Sequence, residues 1–185
     1  MGDRILVVGV DCAEPALLPR LARELETTLG VTAEVLDATI QATAALDPSR
    51  NQHNSSLLLR ALCDLGFELP MRVLGVSSYD LFAPVLTYVF GEAQLRGPAA
   101  VVSTFRLRPE RYGLPPDENV LARRLLVEAV HELGHTAGLR HCLTHGCAMN
   151  GSTYVEDIDL KGPGLCESCD TVFKASFGPA QRVDR

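Results

Sequence analysis

The chain has 185 residues, 46% hydrophobic and 22% charged, which is enough apolar material for one domain with its own core and too much for a disordered segment. A formal net charge of −6, with no Lys/Arg cluster, argues against nucleic acid or an anionic membrane as the main partner. No apolar run is long enough to span a bilayer, and the opening MGDRILVVGVDC lacks the features of a signal peptide, so the expected location is cytoplasmic.

In chain order, RILVVGVD (4–11) reads as a buried strand. EPALLPRLARELETTLG (14–30) has apolar residues at helical spacing, with Pro15 in the first turn and Gly30 as the stop. VTAEVLDA (31–38) reads as a second strand, so the chain opens β-α-β. The polar stretch 47–56 is expected to be a loop, with Ser55 or Ser56 capping a helix over 57–67. Strand-like segments follow at 71–82, 86–95 and 99–107, with Gly91 and RGP (96–98) marking turns between the last two. After a loop at 108–119, a long helix is predicted from about Asp117 to Thr136, its broad apolar face built from Leu121, Leu125, Val127, Ala129, Val130 and Leu133. Beyond Gly138 the chain is rich in Gly, Cys and short polar residues. It reads as a metal-tied lobe (139–185) attached to an N-terminal part (1–138), the two making a single domain over 1–185.

The pattern HELGHTAGLRH at 131–141 carries the chemistry. His131 and His135 are four apart, so a helix places both rings on one face, one turn apart. Glu132 beside them is placed to take a proton from a metal-bound water. Gly138 permits a turn that returns His141 as a third ligand. Three protein ligands leave a fourth position for water, as in catalytic zinc sites. A bare HExxH is also found as two solvated histidines on a surface helix. A chance match to the full pattern has a probability on the order of 10⁻⁵ in a chain of this composition. Other divalent ions also suit three histidines and water.

Four of the six cysteines form a second constellation. Cys142 and Cys147 are separated by four residues, Cys166 and Cys169 by two, with eighteen between the pairs. That spacing fits a closed, structural four-thiolate zinc site; two disulfides or buried free thiols are the alternatives. The first cysteine follows His141 directly, so the two ions are expected within about 14 Å of each other. Fixing Cys142 aims His141 at the first ion.

At these residues the sequence resembles the metzincin metalloproteases. The run from the third histidine into Cys142, then CAM (147–149), then a later close cysteine pair, resembles the archaemetzincins in particular. The stretches 73–107 and 161–169 agree, and the resemblance covers roughly Met71 to Cys169. It implies a compact α/β fold, a twisted and mostly parallel sheet packed on helices with a zinc-tied C-terminal lobe. It also implies a catalytic zinc on His131, His135 and His141, Glu132 as general base, Met149 as the methionine beneath the site, and a structural zinc on Cys142, Cys147, Cys166 and Cys169. The activity implied is peptidase activity, with aminopeptidase action ascribed to some members. The tyrosine that some metzincins carry two residues after the methionine is Gly151 here.

The remaining candidates have plainer expectations. His145 is expected to be exposed, His53 solvated in its polar loop, and Cys12 and Cys63 buried thiols outside both ligand sets. The acidic 154–159 reads as a solvated loop; a sharper reading has Glu156 or Asp157 attracting a substrate amino terminus. The segment 99–105 is expected to be an edge strand to which a peptide could add. The function expected is a zinc-dependent metallopeptidase acting on peptide or protein substrates with two Zn²⁺ ions; the alternative is a non-catalytic zinc module that binds peptide ends or a protein partner. A nucleic-acid-binding cysteine knuckle is disfavoured, because Glu156, Asp157, Asp159, Glu167 and Asp170 oppose Lys161 alone between Cys147 and Asp170.

Overall fold

The computed structural model describes residues 4–177. β1 (Arg4–Val10) is buried along all but its first residue. α1 (Leu17–Leu29) turns Leu18, Leu21, Ala22, Leu25 and Leu29 inward, and Gly30 ends it at φ 67° while its N–H donates to the Glu26 carbonyl. β2 (Thr32–Ile40) pairs with β1 in parallel, completing the expected β-α-β opening.

The stretch expected as a loop at 47–56 contains two short strands, β3 (Leu46–Asp47) and β4 (Gln52–Asn54). With β6 (Leu81–Phe82) they form a small sheet in the order β3-β4-β6. His53 is therefore not solvated: it is 8% exposed and stacks on Tyr79, ring centroids 4.0 Å apart. α2 (Ser55–Cys63) begins earlier than expected. It is capped by Asn54, whose side chain accepts from the N–H groups of Ser56 and Leu57, rather than by Ser55 or Ser56. Those two hydroxyls donate to Glu92 instead.

The main sheet has the order β2-β1-β5-β8-β7, with β5 (Arg72–Ser77), β7 (Gly91–Ala93) and β8 (Ala99–Ser103). Four strands are parallel and β7 runs antiparallel against β8. Two sequence expectations change here. Of 86–95, only 91–93 is strand, and Gly91 lies inside it rather than in a turn. Segment 99–105 is not an edge: all five residues of β8 are buried between β5 and β7, and β7 is the edge.

Alternation along the strands divides the core. Ile5, Val7, Leu74, Val76, Ala100 and Val102 face α1 and α3 (Glu118–Thr136), while Val8, Val10, Val73, Ala99 and Val101 face α2. Both faces are covered, which explains the continuous apolar runs of the parallel strands. The C-terminal lobe joins the first of these cores through Cys147, Ala148, Met149, Val155, Ile158, Cys169 and Phe173. It holds two helices the sequence did not announce. α4 (Val155–Asp159) occupies the expected acidic loop, and α5 (Glu167–Ala175) starts within the last cysteine pair. No described helix is long and apolar enough to cross a membrane.

Candidate active site

α3 starts at Asp117, whose carboxylate accepts from the N–H groups of Asn119 and Val120. From Leu121 onward it is buried around most of its circumference, charged residues included. His131 and His135 lie one turn apart near its C-terminal end, ring centroids 4.7 Å apart. The chain then reverses at Gly138, which has φ 90°, a left-handed conformation that glycine adopts at no steric cost. The reversal returns His141 to 5.2 and 5.3 Å from the other two rings. One nitrogen from each of the three histidines lies within 4.8 Å of the others.

The hydrogen bonds fix which nitrogens face inward. Nδ1 of His131 meets the Ala148 carbonyl at 2.8 Å, and Nδ1 of His135 meets the Leu139 carbonyl at 2.8 Å. A carbonyl only accepts, so each Nδ1 carries the hydrogen and each Nε2 presents a lone pair. Those two Nε2 atoms are 3.1 Å apart. Two lone pairs turned on each other are unfavourable unless a cation lies between them. A tetrahedral zinc with Zn–N bonds of 2.0–2.1 Å places its nitrogens about 3.3 Å apart, so the donor set fits such an ion. Burial holds His131 down to about 3 and also lowers His135, the direction that favours the neutral rings a metal needs.

Glu132 is buried beside these rings. Its carboxyl titrates well above the usual range, first because of burial and then because of Glu128 and Glu92. It packs over β7 at Gly91, where an added Cβ would be 2.7 Å from its Cγ. Met149 is fully buried, its Sδ against α3 at Gly134, where a Cβ would approach to 2.2 Å. A cleft of about 900 Å³ runs over the site, walled by the 83–95 segment on one side and by the histidines and residues 152–154 on the other. Tyr88 ties the rims together, its hydroxyl donating to the Thr153 carbonyl at 2.7 Å.

Cys142, Cys147, Cys166 and Cys169 bring their sulfurs within 4.8 Å of one another. All six cysteines are unpaired, which removes the disulfide alternative in this structure. Sγ atoms of Cys142 and Cys166 are 3.9 Å apart, against about 3.8 Å for thiolates on a tetrahedral zinc with 2.3 Å bonds. Backbone N–H groups of Thr144 and Cys166 point at the sulfurs of Cys142 and Cys147. The Ser168 hydroxyl, then the Cys169 N–H, lowers Cys166 to about 6.

The sequence reading missed the buried ion pair behind the site. Lys161, 4% exposed, reaches Glu128 at 3.4 Å and donates to the carbonyls of Ala148 and Asn150. Glu128 also accepts from Ser152. One signal was available: Glu128 is three and four residues before His131 and Glu132, on the same helix face. His145 is exposed and outside both clusters, and Cys12 and Cys63 are only partly buried. Neither Glu156 nor Asp157 lines the cleft, and Asp157 accepts from the N–H groups of Thr153 and Tyr154. They lose the role of receiving a substrate amino terminus.

Known proteins are similar to this chain in sequence and fold. The profile of peptidase family M54 matches residues 63–175. An archaemetzincin of Methanocaldococcus jannaschii is 40% identical over 166 residues, 90% of each chain. The crystal structure of archaemetzincin from Methanopyrus kandleri superposes with a TM-score of 0.80 at 32% identity, over 96% of this chain and 97% of that one. A structure from Methanocorpusculum labreanum, described as a zinc-dependent peptidase, gives 0.83 at 27% identity, over 91% and 99%. With family profile, sequence and fold in agreement, the chain belongs to peptidase family M54, the archaemetzincins, and is a zinc metallopeptidase.

Proposed function

We propose that His131, His135 and His141 hold the zinc that serves peptide-bond hydrolysis, that Glu132 is the general base, and that the four cysteines hold a second, structural zinc. The observation that carries this reading is the pair of Nε2 lone pairs 3.1 Å apart, each locked in place by a carbonyl on the opposite ring nitrogen. When bound there, zinc supplies Lewis acidity, drawing the pKa of a water towards about 7 and polarising a carbonyl.

The protein's own groups do the rest. Glu132 takes the proton from the attacking water and returns it to the leaving amine. Its burial, and then its acidic neighbours Glu128 and Glu92, raise its proton affinity above that of an ordinary carboxylate. A zinc held by His131, His135 and His141 would lower the proton affinity of Glu132 and so leave its carboxylate available as a base. Lys161 offsets the second buried carboxylate, Glu128, so that Glu132 does not face an unpaired like charge. Tyr88 and Thr153 join the two rims of the cleft, and the finer form of this proposal is trimming of peptide ends, aminopeptidase action included.

The test is mass-spectrometric profiling of a mixed peptide library with zinc-loaded wild type and Glu132→Ala, with metal content measured in both. Products from wild type alone, at equal zinc content near two per chain, are expected. Equal turnover by Glu132→Ala removes the role assigned to Glu132. Saturable binding with no product from either protein selects the non-catalytic module instead.

A further inference from the structure

Most of the charged side chains lining the cleft are already engaged. Glu92 accepts from Ser55 at 2.5 Å and from Ser56 at 2.9 and 3.0 Å. Glu128 is held by Lys161 and Ser152. Glu132 faces the histidines as the proposed base. Arg140 remains. It is the one lysine or arginine among the cleft-lining residues, it is exposed, and it has no hydrogen bond or ion pair among the described residues. It also directly precedes His141.

We propose that Arg140 determines specificity by binding a substrate carboxylate close to the bond that is cut. This rests on the peptidase reading of the cleft. A guanidinium presents a planar fork of donors that matches a carboxylate with two parallel bonds. Held in open water such a pair contributes little; a substrate filling the cleft excludes water from it and strengthens it. Arg140 lines the same cleft as His131, His135 and His141, so the carboxylate it meets lies in the cleft that holds the scissile carbonyl. It belongs either to the C-terminus of a short peptide or to an Asp or Glu side chain.

Matched short peptides separate the two sources: a free acid against its C-terminal amide, and Asp against Asn within an amidated peptide. Zinc-loaded wild type, Arg140→Ala and Arg140→Lys are compared for KM and kcat. The same peptides are titrated onto Glu132→Ala protein, with and without Arg140→Ala, so that recognition is read even where turnover is nil. Wild type is expected to favour the carboxylate member of one pair by about tenfold in KM, with similar kcat. Arg140→Ala removes the preference, and Arg140→Lys restores part of it, because lysine lacks the fork. Preference in the acid–amide pair assigns the C-terminus, and in the Asp–Asn pair the side chain. Equal KM within both pairs, a preference that survives Arg140→Ala, or no binding by any peptide overturns the proposal. An Arg140-dependent preference in binding with no turnover by wild type supports Arg140 and counts against the peptidase reading.

Discussion

Gly91→Ala tests whether β7 sets the position of Glu132. A Cβ at Gly91 would be 2.6 Å from the Val101 carbonyl oxygen, 2.7 Å from Glu132 Cγ and 2.8 Å from Glu132 Oε1. Val101 belongs to β8, buried between two paired strands, so it cannot yield cheaply. Ordinary contact begins near 3.4 Å, so Glu132, or β7 with it, must retreat by about 0.7 Å. A misplacement of about 1 Å at a reacting group costs on the order of 10²-fold, and the expected fall in kcat/KM is about tenfold to a hundredfold. Overpacking costs about 1–3 kcal/mol, which in a chain of this length lowers Tm by about 2–12 °C. Zinc content should not change, because no histidine is touched. Gly113→Ala is the control. It meets nothing within 4 Å but sits at φ 76°, so it should lower Tm through left-handed strain and leave turnover intact. Wild-type kcat/KM from zinc-loaded Gly91→Ala would refute the claim that this close approach places the base.

Three further outcomes follow from the structure. Lys161→Met leaves Glu128 buried without its cation, which costs about 3–5 kcal/mol; adding Glu128→Gln should recover much of the loss in a denaturant titration, and no recovery would mean that the pair is not the cause. His53 has its pKa lowered by burial, so below about pH 6.5 the unfolded chain takes up a proton that the folded ring resists, and stability present above that pH is lost as pH falls. His53→Phe keeps a ring against Tyr79 and should flatten Tm between about pH 7 and pH 5; parallel curves for variant and wild type would contradict this. Chelation should raise the number of thiols that react with a colorimetric reagent, Cys166 first because its pKa is lowered to about 6; an unchanged thiol count would argue against metal at the four cysteines.

What was legible in the sequence was what depends on local spacing. Two histidines four apart share a helix face whatever packs around the helix, and a glycine three residues beyond marks the reversal that brings back the third. The β-α-β opening was readable for the same reason. Contacts between distant segments were not. His53 sits in DPSRNQHNSS, a loop by composition, yet a three-residue strand buries it against Tyr79, far along the chain. Gly91 looked like a turn because nothing local shows that Glu132, 41 positions later, needs its missing side chain. Nothing local to 99–105 distinguishes an edge strand from an interior one except its unbroken apolar run, which belongs in a sheet interior with both faces covered. Lys161 is the lone basic residue between Cys147 and Asp170, and nothing local shows that it is buried against Glu128, 33 positions earlier.

The joint between helix and lobe explains why these pieces occur together. The Ala148 carbonyl accepts from Nδ1 of His131 and also from Nζ of Lys161. Its neighbours in the chain are Cys147, in the four-sulfur cluster, and Met149, packed against Gly134 of α3. One peptide unit is thus held by a four-sulfur cluster on one side, by a buried methionine on the other, and by an ammonium at its oxygen. Its orientation decides which nitrogen of His131 carries the hydrogen and which offers a lone pair to a metal. Cys142 makes a second such joint, its N–H donating to the Met149 carbonyl directly after His141. Loosening the cysteine cluster therefore frees two of the three histidines, His131 and His141, at once. A cysteine-to-serine change at Cys147 should weaken metal binding at the histidines as well as at the sulfurs, a coupling that two independent sites would not show.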